Sequence, residues 1–450
     1  MISRKSIRAA SSAILGQGVA QGVNALGAII RIPVLVVALS AAGYGTFSLV
    51  MALAPWLLLP HTALRYSVRV LGADALHSGS PEHLSAVIHE HRSQARRFAL
   101  WFVAAAPVLG AAIALSWPAL SSPSADRVEA FWVVVLSVTA CATGLSGSVY
   151  TGWLEANDKL AATNLLGSLV GIIGLGLAVA LAWLHGPFIL FVAAGMTSSV
   201  AQMWGGWLVG RRSAPPGAGD PELVPTIRRN VRAFTVNQFS ALIANGLSPF
   251  VVGAAVGAVA VGSYTIAARL AILITIVPSA LIPLFWNQHA RLRRASSEVA
   301  DGPVWTPAHE RMLLLQLMAG VGLAGVFWFV GPRIGHLLGK GDVPAAPLLY
   351  GAFAVFGIIG FLQAPLSAWF VSPDSVSYLA RSTASAAVAG LLLGTSLALL
   401  IGESGPIWGI DATYAVLTMA WYRRVRSTRT DGPATAAYGE SDRPHPWDLK

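Results

Sequence analysis

The chain has 450 residues, 55% of them hydrophobic and only 11% charged, with a mean hydropathy of +0.64. Soluble domains carry about 25% charged residues, so this composition cannot build a water-facing surface, and soluble α/β architectures are excluded. The net charge of +10 raises nucleic acid as a partner, a reading that the placement of the charges removes below.

A bilayer core needs about 20 apolar residues per crossing helix. Read in chain order, apolar runs between charged or Pro/Gly-rich breaks give twelve spans. The first six are Ile14–Leu39, Tyr44–Leu64, Phe98–Trp117, Ala130–Gly152, Leu160–Leu184 and Pro187–Val209. The second six are Phe234–Val256, Val259–Pro283, Met312–Val330, Pro347–Val371, Val376–Ile401 and Pro406–Tyr422. Two connections, Ser40–Gly43 and Gly257–Ala258, are short runs of small residues that permit tight reversals. Arg4, Lys5 and Arg8 precede an apolar stretch too long for a signal h-region, with no A-x-A site after it, so no cleavable signal peptide is expected. Cys141, the single cysteine, lies in an apolar run and reads as a small core residue.

The basic residues orient the spans. Of 30 Lys and Arg, only Arg127, Arg333 and Lys340 fall opposite the N-terminus, and Arg31 and Arg269 fall inside spans. The rest alternate loop by loop on the N-terminal side, as the positive-inside rule requires of the cytoplasmic face. They are juxtamembrane anchors rather than a nucleic-acid surface, and both termini are expected in the cytoplasm. The longest inside loops are Tyr66–Arg97, Arg211–Arg232 and His289–Arg311. The middle one, with Pro215, Pro216, Gly217 and Gly219, divides six spans from six. We expect an N-terminal six-helix lobe over 1–210, a cytoplasmic linker over 211–230, a C-terminal lobe over 231–426 and a disordered polar tail over 427–450.

The halves resemble each other weakly. A shift of 216 places Gly144 on Gly360, Trp153 on Trp369, Asp158 on Asp374 and Gly174 on Gly390; a shift of 220 places Tyr44 on Tyr264 and Gln17 on Asn237. Two lobes that both start inside make a parallel repeat about an axis along the membrane normal.

Polar side chains inside a span are costly and normally face the bundle interior or a water-filled cavity. Gln17, Gln21, Asn24 and Arg31 fall within about 80° of arc on the first helix. Asn237, Asn245 and Ser248 do the same on the seventh, as a cavity between two lobes requires. Hydrogen bonding between helices is the competing explanation for these stripes. Arg31 and Arg269 either fix packing or reach headgroups, or they form a cationic patch whose planar forks bind phosphate oxygens. Embedded carboxylates, the usual ion-coupling groups, are nearly absent: Glu155 and Asp158 read as an inside loop, Glu403 as an outside turn. Asp411 is the one serious ion-coupling candidate, with His61 a further titrating group near an inner helix end. His83, His89 and His91 lack the spacing of a metal site. No Walker motif and no nucleophile–base arrangement appear, so we expect neither an enzyme nor a cofactor.

Three passages resemble a known family. Val261-Gly262-Ser263-Tyr264-Thr265-Ile266-Ala267-Ala268-Arg269-Leu270, running on to Pro283, is similar to the VG-x-Y-x-x-A segment of polysaccharide-export (Wzx-type) flippases. These belong to the multidrug/oligosaccharidyl-lipid/polysaccharide (MOP) superfamily. Gly43-Tyr44-Gly45-Thr46-Phe47-Ser48-Leu49 resembles the equivalent turn after helix one, and Trp153-Leu154-Glu155-Ala156-Asn157-Asp158 the family's L-x-A loop. The chain departs after Leu337-Leu338-Gly339, where Val343-Pro344 stands in place of the family's aromatic residue. The resemblance extends over all twelve spans and implies an all-α, polytopic, MATE-like fold of two lobes in a V. It also implies that the chain moves lipid-linked glycans from the inner to the outer leaflet of a bacterial cytoplasmic membrane.

The expected function is therefore a flippase for an isoprenoid-pyrophosphate-linked oligosaccharide, acting by alternating access in surface polysaccharide biosynthesis. Gln17, Gln21, Asn24, Asn237 and Asn245 would meet sugars, and Arg31 and Arg269 the pyrophosphate. Its partners would be the lipid-linked glycan, the bilayer, a polysaccharide polymerase and glycosyltransferases. A cation-coupled multidrug exporter on the same fold would need Asp411 or His61. A non-transporting scaffold of a glycan assembly complex would use the polar stripes as packing glue.

Overall fold

The structure, a computed structural model, describes residues 4–78, 81–120, 127–157, 159–215, 219–297, 305, 307–370 and 375–427. Side chains are described for fewer of these, and Gln17, Gln21, Asn24 and Asn245 are among the exceptions. The described residues form helices and no strands. In chain order these are α1 (Arg4–Leu57), α2 (Leu59–Ser78), α3 (Pro81–Leu120), α4 (Arg127–Ala156), α5 (Leu160–Trp183), α6 (Phe188–Gly210) and α7 (Val224–Gly246). Then follow α8 (Ser248–Ala255), α9 (Ala258–Ser297), α10 (Pro307–Leu338), α11 (Pro347–Ala368), α12 (Val376–Ile401) and α13 (Gly405–Arg426).

Among the described residues, 8 stretches are long and apolar enough to cross a membrane, with two shorter apolar helices, Gly167–Trp183 and Phe188–Thr197. Two of the eight hold two crossings each. Val376–Arg426 contains both α12 and α13, and Ala25–Leu57 contains a break at Ser40. The all-α, twelve-crossing expectation therefore stands. The outer surface is apolar as lipid requires: Trp183, Leu399 and Leu400 are about four-fifths exposed, at 82%, 76% and 78%. In water such a surface would be an aggregation site.

The tight turns are made as the small residues suggest. Ser40 takes φ 66°, ψ 170°, a region that side chains rarely adopt. Its hydroxyl then accepts the Gly43 N–H at 3.3 Å, capping the helix that restarts there. At the corresponding position of the second half, Gly257 takes φ 117° between α8 and α9, where the absent Cβ makes positive φ easy.

Three sequence expectations need correction. The segment Tyr66–Arg97 is not a loop: α2 carries helix to Ser78, and α3 resumes it at Pro81. Its charged residues end the hydrophobic run but not the helix, because hydropathy reports contact with lipid and charge does not break backbone hydrogen bonding. Glu155 likewise belongs to α4 and is buried. The seventh span is broken at Leu247 into α7 and α8, with Pro249 at the start of α8.

Helix packing relies on missing side chains. Gly390 and Gly394 of α12 lie against Gly409 of α13, Gly405 of α13 lies against the Leu397–Ala398 backbone, and a Cβ at Gly409 would strike the Gly394 backbone. In the first half, a Cβ at Gly147 of α4 would strike the Met203 carbonyl of α6, and one at Gly206 the Thr151 hydroxyl. Van der Waals contact at backbone range replaces the hydrophobic effect, which cannot drive association between helices already in hydrocarbon. Val343, at the departure from the family pattern, is buried beside Gly262 and Gly339, so an aliphatic side chain fills that outer corner.

Candidate functional site

The two halves meet along α1 and α9. Just past the Ser40 break, a Cβ at Gly45 would fall on the Ala258 carbonyl, so the two backbones touch there. Tyr44, fully buried, lies against Gly262, and Leu49 lies against Gly253. This is an apolar seam at the membrane face opposite the N-terminus. Toward the N-terminal side, Tyr66 of α2 meets Phe234 of α7 with tilted rings at 6.0 Å, and Trp56 meets Phe239 edge-on at 5.4 Å.

Arg31 and Arg269 lie below the seam on these two helices. At about 1.5 Å per residue, Arg31 is roughly 14 Å from the Ser40 break and Arg269 roughly 18 Å from Gly257. In a hydrocarbon core of about 30 Å, both are near mid-depth. The Arg31 guanidinium lies along α5 at Gly174, where a Cβ would sit 3.0 Å from Nη2. Its Nε is buried without a hydrogen-bond partner. Among the described residues, neither arginine is ion-paired. One embedded arginine from each half is thus without an ion-pair partner among the described residues, in the medium where an unpaired charge costs most.

The remaining expected site residues divide. Gln17, Gln21, Asn24 and Asn245 lie outside the residues whose side chains are described. Asn237 accepts a hydrogen bond from Thr383 of α12 at 2.9 Å, a contact within the second half. His61 is buried on α2, 2.5 Å from the Ser148 hydroxyl of α4. One turn further, Arg65 is paired with Glu155, its Nε donating at 2.9 Å. His91, from the histidine-rich stretch, is turned inward between Ser67 at 2.8 Å and the Val87 carbonyl at 2.7 Å.

Asp411 stands apart. It is 2% exposed on α13, and both carboxylate oxygens lack a hydrogen-bond partner. Its charge acts on Tyr264 of α9, so it lies deep in the second half near that ring. Sequence reasoning missed the Arg65–Glu155 pair, because 90 residues separate the partners and Glu155 had been read as a loop residue. It also missed Tyr44 and the room that Gly174 leaves for Arg31. The only signal for the latter was a glycine at the depth of an embedded arginine.

No family model matches the chain, and no curated protein matches it. Solved structures do. An outward-facing multidrug resistance MATE family transporter of the MOP superfamily superposes with a TM-score of 0.66 at 14% identity, covering 92% of this chain and 96% of that one. An inward-facing MATE structure gives 0.63 at 15% identity, covering 91% and 95%. A MOP superfamily transporter from Pyrococcus furiosus, described as having a binding pocket of reverse polarity that suggests a different function, gives 0.67 at 14% identity, covering 92% and 95%. At such identities the likeness is one of fold, and over nine-tenths of its length this chain folds as MATE transporters do.

Proposed function

We propose that the chain is a membrane transporter that carries a lipid-linked oligosaccharide, held by its isoprenoid pyrophosphate, across a bacterial cytoplasmic membrane by alternating access. The observation that carries this reading is the placement of Arg31 and Arg269 near mid-depth on α1 and α9, the two helices along which the halves meet, with neither ion-paired among the described residues. A pyrophosphate supplies the missing negative charge, and the guanidinium forks match its oxygens bidentately. The fold supports movement, since its solved relatives in shape include inward- and outward-facing structures. The reverse-polarity pocket of the Pyrococcus furiosus transporter fits the idea that this scaffold serves substrates of different charge. The lipid tail stays in the bilayer while sugars pass between the halves, where Gln17, Gln21, Asn24, Asn237 and Asn245 are the proposed sugar contacts. Polymerase and glycosyltransferases are the proposed partners, and both termini the proposed cytoplasmic ends.

The test is export of the surface glycan in cells. Arg31→Ala together with Arg269→Ala should abolish export and leave lipid-linked glycan on the cytoplasmic leaflet, while the protein still accumulates in the membrane. Export at the wild-type level would remove the charge assignment. A second reading, cation-coupled export, is favoured by the unpartnered Asp411 carboxyl, whose burial makes it a natural proton carrier. Drug resistance on expression, lost in Asp411→Asn, would support that reading instead.

A further inference from the structure

Three elements of the second half meet at one hydroxyl. Ser263 follows Gly262 on α9, the helix that lies along the seam, and is 2% exposed. Its Oγ lies 2.7 Å from the Pro344 carbonyl, in the connection between α10 and α11. It also lies 2.9 Å from Glu403 Oε1, in the turn between α12 and α13. Val343, next to Pro344, is buried and shares the Gly262 position with Tyr44 and the Ala41 carbonyl of α1. This corner is therefore part of the closed seam. A serine hydroxyl has one hydrogen to donate, whereas a backbone carbonyl only accepts. With an ionised Glu403, two acceptors compete for that hydrogen, and one close oxygen pair is left without a full bond. With the neutral acid both bonds are made: Ser263 donates to the Pro344 carbonyl, and the Glu403 carboxyl donates to Ser263 Oγ.

No base holds the carboxylate form instead. Glu403 makes no ion pair among the described residues. The helices packed against its turn are α8, α9, α11, α12 and α13. Toward this end their titratable groups are Tyr264 on α9, Tyr350 on α11, and Asp411 and Tyr414 on α13, none of them a cation. Arg269 is roughly 9 Å beyond Ser263 along α9, and Arg381, Arg423, Arg424 and Arg426 stand at the opposite ends of α12 and α13. In the connection that carries Pro344, Lys340 and Asp342 are exposed, as is His336 at the end of α10. We propose that Glu403 is a proton-binding site whose neutral acid, through Ser263, ties the α12–α13 turn and the α10–α11 connection to the seam helix, and that loss of the proton releases them. The proposal does not depend on what the chain carries. The carboxyl's hydrogen bond exists only in the tied state, so tying favours the protonated form. By linkage the tie is held at low pH and lost as the pH rises through the titration of this group.

Difference infrared spectroscopy on the full chain in nanodiscs reads the carboxyl directly. At about pH 7 an ordinary glutamate, with a pKa of about 4.3, is ionised. A protonated carboxyl band should nevertheless be present, disappear in Glu403→Gln and shift in Ser263→Ala. The tie is read by paired spin labels on Ala42→Cys and Asp342→Cys, exposed positions next to Ala41 and Val343, in a Cys141→Ala background. The distance between labels should be narrowly distributed while the band persists and should broaden as rising pH titrates the band away. Glu403→Gln, whose amide donates to Ser263 as the acid does, should keep the narrow distribution throughout. Absence of the band would overturn the proton site. A band that titrates while the distances stay narrow would overturn the tie and leave the proton site standing. Broadening with pH in Glu403→Gln as well would assign the change to another group and overturn the tie. If Glu403→Gln does not accumulate, Ser263→Ala decides: a band that it leaves unshifted overturns the assignment.

Discussion

Arg65 and Arg31 are both arginines held inside the same half of the molecule, and they are treated in opposite ways. Arg65 on α2 reaches Glu155 on α4, with the His61–Ser148 contact one turn away, so both charges of the pair have a partner of opposite sign, although Glu155 Oε2 makes no hydrogen bond. Arg31 on α1 has a buried Nε without an acceptor and no ion pair among the described residues. The first arrangement holds α2 to α4 and balances its charges. The second is incomplete, and an incomplete charge in hydrocarbon is retained for what it binds rather than for what it stabilises.

The largest effect that would sharpen this contrast is at Glu155. Glu155→Ala leaves Arg65 without its partner and should cost about 3 to 5 kcal/mol, seen as a lower melting temperature in detergent and reduced accumulation. Replacing both, as Arg65→Met with Glu155→Leu, should recover most of that loss. At Arg31 the sign reverses. Arg31→Met should be neutral or stabilising, by up to about 2 kcal/mol, while pyrophosphate binding is lost. Destabilisation of the size seen at Glu155 would break the comparison, since Arg31 would then be a structural residue. Gly174→Leu fills the space beside the guanidinium and should weaken pyrophosphate binding roughly tenfold, about 1.4 kcal/mol, with Gly174→Ala closer to wild type. The smallest effect is at Asn237, where Asn237→Ala removes one hydrogen bond between helices and should cost about 0.6 kcal/mol without changing pyrophosphate affinity.

The spans were legible because lipid imposes a length and a composition on each crossing, and small residues marked the turns at Ser40 and Gly257. The helices beyond the bilayer were not, because the charges of 66–97 announce water and say nothing about backbone state. Arg31 and Arg269 were identifiable one at a time, as costly residues in the wrong solvent. That their two helices are the ones along which the halves meet was not, since it depends on how α1 and α9 cross. Asn237 shows the reverse: the polarity was read correctly, but its neighbour Thr383 lies 146 residues on and on another helix, beyond any local pattern.

The four glycines between α12 and α13 bear on how the chain reaches the bilayer during synthesis. Alone, α13 would bring the Asp411 carboxyl into hydrocarbon as a helix that translocating machinery holds back. Joined to α12 by the short turn at Gly402–Ser404, it can enter as a preassembled hairpin whose backbones are already in contact. Bulk at Gly394 or Gly409 would then act on biogenesis before it acted on transport, leaving the last helix stranded at the membrane surface.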